Sequence, residues 1–377
     1  MRNRRFALFD SLRALAALGV LVFHAATTSM KPSTAWYGGL VLHLNVGVTL
    51  FFLISGFLLY RPYAEAIDTG SPLPSIRRYA RRRFLRIVPA YWVALTLLAC
   101  WPGLLGVFTS DWWVYYGFLQ SYRLAWLWGG IRAAWSLSVE AAFYLLLPFL
   151  GAALAKLCRG RTPRVAAGVQ LGTFGAMALF GIGFHGFVQY ARLVDLYAVL
   201  PGMLAWFAAG MSLAVASVRH LGRERDTRWT RSVLEHPGAC WTLAFAIYLG
   251  IAFAPAFPRP FTGREYTPLA HTVEHVLYAA VALLVMLPAV FGEAAGGGSR
   301  RFLASRTLAW IGAVSYGVFL WHQPLMVALD TRGASQGIPG WPILALLLAS
   351  LPLTFACAWL SYRLIERPAL GLSARGR

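Results

Sequence analysis

The sequence has few charged side chains, and acidic ones are scarcer than basic ones. Charged residues make up 13% of its 377 residues and hydrophobic residues 58%, while Asp and Glu together number only 14. A water-soluble domain is not built with so few charges. Cysteine is also scarce, with four residues and no CxxC pair. We therefore expect neither a disulfide framework nor a thiolate metal site, and the apolar composition points to a membrane protein.

Apolar stretches of the length that crosses a bilayer, about 20 residues, recur along the chain. They cover residues 11–30, 41–60, 87–107, 136–155, 165–184, 198–217, 238–257, 270–291, 308–329 and 341–362. The longest linker, residues 108–135, is too short for a soluble appendage. We predict an all-α, polytopic membrane helix bundle of about ten transmembrane helices, with residues 1–377 as a single transmembrane domain.

The placement of the basic residues predicts the orientation of this bundle. Most of the 34 Lys and Arg fall in the N-terminal segment, in alternate linkers and at the C-terminus, with seven of them between Arg61 and Arg86. Such alternation is typical of cytoplasmic loops. We therefore predict cytoplasmic N- and C-termini in the inner or plasma membrane. The net charge of +20 then reflects topology and contact with membrane lipids, and we expect no nucleic-acid partner.

The first apolar helix carries two ionisable residues, Arg13 and His24. Their separation of 11 residues is about three helical turns, so they share one face about 16 Å apart. An ionisable residue inside a span indicates a functional site. The alternative is that Arg13 reaches the membrane edge while His24 is a hydrogen-bonded packing residue.

Five further motifs accompany this helix. In chain order the six are FDSLRALAALGVLVFH, VTLFFLISGFLLY, RRRFLRIVPAYW, WSLSVEAAFYLLLP, WIGAVSYGVFLWHQPL and YRLIERPAL, the last containing Glu366. Together they resemble, over the whole chain, the acyltransferase 3 family of membrane-bound O-acyltransferases. Ser11 and Phe319 depart from that family's usual Gly and Tyr. Some family members carry an added extracytoplasmic hydrolase-like domain, which we do not expect here.

The resemblance implies transfer of an acyl group, with acetyl the expected one, from acyl-CoA to a hydroxyl. His24 is the side chain best suited to take the proton of the attacking alcohol. Glu140, in the WSLxxE motif, could orient the imidazole as the acid does in hydrolases. We assign His24, Glu140 and Arg13 to catalysis, with acyl-CoA as a donor substrate and no permanently bound cofactor or metal.

The donor and the acceptor receive separate sets of residues. Arg83 and Arg86 suit the phosphates of acyl-CoA, and the small residues Ser55 and Gly56 would let the pantetheine arm pass between helices. The alternative for the arginines is a topology signal alone. We assign the acceptor, a carbohydrate or glycolipid, to His322, Trp135 and Ser136.

The helix rise predicts depths for these side chains. His24, Glu140 and His322 fall about 6 to 10 Å below the outer boundary, whereas Ser55 lies roughly 21 Å deep. We therefore expect an inner arginine-rich donor entrance and an outer acyl-transfer site. The aromatic outer segment 109–135 suits a membrane interface, and a sugar-stacking platform is its alternative.

Three other functions compete with this one, and one of them is a hybrid in which the protein passes acyl groups outward to a separate transferase. The segment HTVEH, residues 271–275, fits the H-x-x-E-H zinc pattern, which is a weak match without a third ligand; an interfacial polar cap is the preferred interpretation. A transporter or flippase of glycoconjugates or acyl groups would carry buried charges as well. The sequence does not identify the acceptor among envelope glycans, glycolipids and glycosylated metabolites.

Overall fold

The computed structural model describes residues 8–29, 35–222, 233, 236–257, 266–291 and 298–374. All regular secondary structure in these ranges is helical, which confirms the predicted fold class. Each predicted apolar stretch corresponds to one long helix. These are α1 (Leu8–Ser29), α2 (Val46–Thr69), α3 (Ile76–Leu98), α4 (Trp135–Cys158), α5 (Pro163–Tyr190), α6 (Leu200–Gly222), α7 (Pro237–Phe253), α8 (Pro268–Phe291), α9 (Arg306–Asp330) and α10 (Pro342–Ser361).

Eight of these helices, α1 to α6, α8 and α10, are long and apolar enough to cross a membrane. The chain is therefore a multi-pass membrane protein. Helix α7 has only 17 residues, and α9 is less apolar than the eight because it contains polar residues such as Ser315, His322 and Gln323. Membrane crossing by α7 and α9, the total of ten spans and the cytoplasmic termini stay predictions.

Local sequence signals explain several helix ends. The Ser75 hydroxyl accepts the Arg78 backbone N–H at the start of α3, and the Ser305 hydroxyl accepts that of Leu308 at the start of α9. Such contacts satisfy backbone donors that a helix leaves open at its N-terminus. Helix α2 ends at Thr69, and the φ of 71° at the next residue, Gly70, is a left-handed conformation that favours glycine.

The start of α3 differs from the sequence prediction. The basic segment before residue 87, predicted as a linker, is helical from Ile76 onward. The many arginines leave no apolar periodicity in this segment of the sequence. The segment can still be helical, because only one of its faces is turned toward the protein. Arg81 and Arg82 are exposed, whereas Arg83 and Arg86 are partly buried on the inward face.

Helix α2 packs against α1, α4, α5, α6 and α8 and is therefore central to the bundle. Gly56 of α2 faces α6, where an added Cβ would clash with the backbone carbonyl of Phe207, and Gly210 of α6 meets Leu53 in the same way. Small residues let helices approach closely. Gly56 therefore serves the contact between α2 and α6, and its predicted role in donor binding stays a prediction.

Candidate active site

A cavity of about 320 Å³ lies between α1, α2, α3, α4 and α9. It follows α2 from Val48 to Leu59 and α1 from Arg13 to His24, a length of about 16 Å along each helix. Its lining includes most of the residues that the sequence predicts. These are Arg13, His24, Ser55, Arg83, Arg86, Trp135, Ser136 and Glu140. The structure thus brings together residues from four helices, while their individual roles stay predictions.

His24 is joined to His322, which lies behind it and outside the cavity lining. His322 is 1% exposed, and its Nε2 lies 2.9 Å from Nδ1 of His24. The Nδ1 atom of His322 lies 2.8 Å from the carbonyl oxygen of Val318 and 2.9 Å from that of Phe319. Both ring nitrogens of His322 therefore have protein partners. The predicted contact of His322 with the acceptor is replaced by a contact with the predicted base.

These contacts assign the tautomers of the pair. Carbonyl oxygens only accept hydrogen bonds, so Nδ1 of His322 carries a hydrogen and its Nε2, in the neutral ring, accepts. His24 must then donate from Nδ1, which leaves the lone pair of the neutral His24 ring on Nε2. His24 lines the cavity. Its Nε2 is the ring nitrogen that can act as a base toward a molecule bound there.

Glu140 contacts hydroxyl groups and not the imidazole. Its Oε1 accepts from the Ser55 hydroxyl at 2.5 Å, and its Oε2 accepts from the Tyr144 hydroxyl at 2.8 Å. The hydrogen-bond partner of the His24 ring in this structure is therefore His322, and the orienting role of Glu140 stays a prediction. The guanidinium of Arg83 lies 5.9 Å from the centroid of the Tyr144 ring. This network links α2, α3 and α4 on one side of the cavity.

The bond between Ser55 and Glu140 also corrects the predicted depths. The sequence places Ser55 about 15 Å deeper than Glu140, assuming that both helices begin at the membrane boundary. In the structure α2 begins only at Val46, after the short helix Gly38–Leu42. The first turn of α4 is already buried, with Leu137 only 3% exposed. Both helices therefore begin inside the protein and not at the membrane boundary. For this reason Ser55 and Glu140 lie at the same depth.

The arginines give the cavity a positive end. Arg13, Arg83 and Arg86 line it together with a single carboxylate, Glu140. Arg13 forms an ion pair with Asp10 at 3.2 Å, whereas Arg83 and Arg86 form none in the described ranges. The Nε of Arg83 is buried without a hydrogen-bond partner among the described residues. Guanidinium groups with open donors suit a phosphate-bearing ligand.

Sequence reasoning missed Tyr144 in this site. Its hydroxyl holds Glu140, and its ring lies beneath Arg83. The available signal was its position four residues after Glu140, which places both side chains on one face of α4. Tyr316 and Phe319 of α9 also line the cavity.

The HTVEH segment belongs to a second polar cluster at the start of α8. Glu274 accepts hydrogen bonds from His43 at 2.8 Å and from Tyr278 at 2.6 Å, and thereby links α8 to the turn before α2. The His275 ring is stacked between Trp206 and His185, with centroids 4.2 Å away on each side. No group of three or more His, Cys, Asp or Glu in the described part of the chain could hold a metal ion. The zinc interpretation gains no support, and the cluster ties helices together.

Comparison with known proteins decides the family. Residues 6–363 match the sequence profile of the acyltransferase domain named Acyl_transf_3. The chain belongs to the acyltransferase 3 family. This confirms the resemblance that its six motifs predict.

Individual relatives are distant but match along the chain. It is 24% identical over 381 residues to the peptidoglycan O-acetyltransferase OatA of Listeria monocytogenes, covering 95% of this chain and 55% of that protein. It is 24% identical over 378 residues to the O-acetyltransferase OatA of Staphylococcus aureus, covering 95% and 56% respectively. The chain spans about half the length of these curated relatives. No solved structure matches it.

Proposed function

We propose that this acyltransferase moves an acetyl group from acetyl-CoA to a hydroxyl of a cell-envelope glycan in the plasma membrane. The observation that carries the proposal is that one cavity holds both an imidazole with an assigned base nitrogen and two arginines, Arg83 and Arg86, that form no ion pair with a described residue. The names of the relatives, which are O-acetyltransferases, support acetyl as the group and a glycan as the acceptor. The donor rests on the arginines alone.

The proposed reaction is a direct transfer. Nε2 of His24 takes the proton of the acceptor hydroxyl while the oxygen attacks the thioester carbonyl. The C–O bond forms, the C–S bond breaks, and the thiolate receives the proton from His24. The products are an acetyl ester and free coenzyme A, so the imidazole returns to its starting form. Glu140, held by Ser55 and Tyr144, supports the position of Arg83 beside the donor.

The alternative functions predict different products. A transporter or flippase moves its cargo with no new covalent bond, and a carrier that passes acyl groups to a separate transferase forms no ester on a glycan by itself. Purified protein in nanodiscs, supplied with acetyl-labelled acetyl-CoA and soluble glycan strands, should form a glycan ester and release one thiol per ester. Release of thiol without a glycan ester would favour the carrier, and neither product would contradict the proposal.

A histidine variant tests the base in the same assay. We expect His24→Ala to lower the rate of ester formation by about 100- to 10,000-fold, the range that general base catalysis supplies. His271→Ala is the matched control, because His271 lies on α8 outside the cavity and stacks on Tyr266. Near-normal turnover by well-folded His24→Ala protein would remove His24 from the mechanism.

A further inference from the structure

Arg132 directly precedes a residue that lines the cavity bearing His24. It opens the short turn Arg132–Ala134, which packs against α9 and leads directly into α4. The next residue, Ala133, lines the cavity together with His24. Helix α9 also carries His322, the partner of His24, so the turn lies against the helix that contacts His24. Arg132 therefore belongs to the His24 end of the cavity, far along α1 from Arg13.

Trp128 holds this guanidinium in place. The Arg132 Cζ atom lies 4.4 Å from the centroid of the Trp128 ring, and the ring itself is 53% exposed. A cation over an indole face is an attractive contact that restrains a long, mobile side chain. No hydrogen bond joins the Arg132 guanidinium to a described residue, so its N–H donors are open to another group.

Arg132 has no counter-ion in the part of the chain that the structure describes. No hydrogen bond or ion pair joins its guanidinium to a carboxylate there. In the proposed reaction His24 becomes an imidazolium, and two positive charges near each other repel. An anion bound at Arg132 would attract both groups. The site is thus incomplete until a negatively charged group enters it.

Resting on the proposed acetyl transfer, we propose that Arg132 and Trp128 form a subsite for a carboxylate of the acceptor glycan. The planar guanidinium matches a carboxylate through paired hydrogen bonds, so it would fix the sugar with a neighbouring hydroxyl at His24. The acceptor class is therefore an acidic glycan. The second pair of this kind on the same segment, Arg123 over Trp126 at 5.2 Å, has no sequence neighbour in the cavity lining and provides a control.

Binding to two glycans of different charge tests the subsite. The probes are muramic-acid-containing glycan strands stripped of peptides, which carry free carboxylates, and the same strands after methyl esterification. Calorimetry in nanodiscs of zwitterionic lipid keeps anionic lipid headgroups away from Arg132. We expect Arg132→Gln to weaken binding of the acidic strands about tenfold and to leave binding of the esterified strands unchanged. Arg132→Lys should keep part of the preference, and Arg123→Gln should alter neither affinity.

Two results would overturn the subsite. One is an equal effect of Arg132→Gln on both glycans, and the other is no effect on either. Because calorimetry measures binding without turnover, these results are independent of whether the wild-type protein forms an ester. The wild-type protein could bind the acidic strands in an Arg132-dependent way and yet form no ester. That result would contradict the proposed acetyl transfer but would still support the carboxylate subsite.

Discussion

At the scale of single residues, the contact between two histidines determines which nitrogen of the neutral His24 ring carries the lone pair. His322 receives the His24 Nδ1–H at 2.9 Å while its own Nδ1–H is held by backbone carbonyls of α9. His322 does not line the cavity that bears His24, so we expect it to act through His24 as a positioning residue. Removing it would free His24 to rotate and to adopt the other tautomer.

A pair of substitutions at His322 tests this positioning. We expect His322→Leu to lower kcat by about 10- to 100-fold with little change in the KM values, because only the orientation of the base is lost. His322→Gln should retain more activity, since its amide oxygen can accept the His24 Nδ1–H. Steady-state kinetics on protein of matched thermal stability measures both. Equal losses in the two variants would show that His322 merely fills space between α1 and α9.

How far the sequence predicts this site differs from residue to residue. Arg13, His24 and Glu140 stand out because an ionisable side chain inside an apolar run demands an explanation. The partner of each one does not follow from the sequence. Whether Glu140 or His322 reaches His24 depends on how helices far apart in the chain pack, and helix rise alone gives no rotation about the helix axis.

At the scale of a helix, α3 separates its arginines by face. Arg83 and Arg86 line the cavity, whereas Arg82, on the same turn, is exposed. The sequence shows only a continuous basic run and predicts a linker, since the run has no apolar periodicity of its own. The structure places Ile76 at the helix start, and this assigns each arginine to one side.

This division predicts different effects for neighbouring arginines. We expect Arg83→Ala and Arg86→Ala each to raise the KM for acetyl-CoA about tenfold with a smaller change in kcat, because a charge-assisted hydrogen bond to phosphate is lost. Arg82→Ala, the control one position away, should leave the KM unchanged. With acetyl-pantetheine, which lacks the phosphates, all three variants should match the wild type. A similar rise in the KM for Arg82→Ala would indicate that these arginines only set the membrane topology.

At the scale of the whole molecule, one cavity contains residues from opposite ends of α1. Arg13 and His24 lie about 16 Å apart along the helix, more than half the hydrocarbon thickness of a bilayer. The predicted orientation, based on the positive-inside pattern, puts the arginine end toward the cytoplasm. Donor and acceptor should then approach the cavity from opposite sides of the membrane.

Sealed vesicles of known orientation test this arrangement. Labelled acetyl-CoA supplied on the cytoplasmic side should acetylate an impermeant glycan on the other side, and the free coenzyme should stay on the donor side. The reason is that the phosphates remain at Arg83 and Arg86 while only the acetyl group reaches His24. The control places both substrates on the cytoplasmic side and should yield no ester, because a bulky glycan cannot pass the arginine end to reach the base. Ester formed only in that control would contradict transfer across the membrane and leave an acyltransferase that works from the cytoplasmic face.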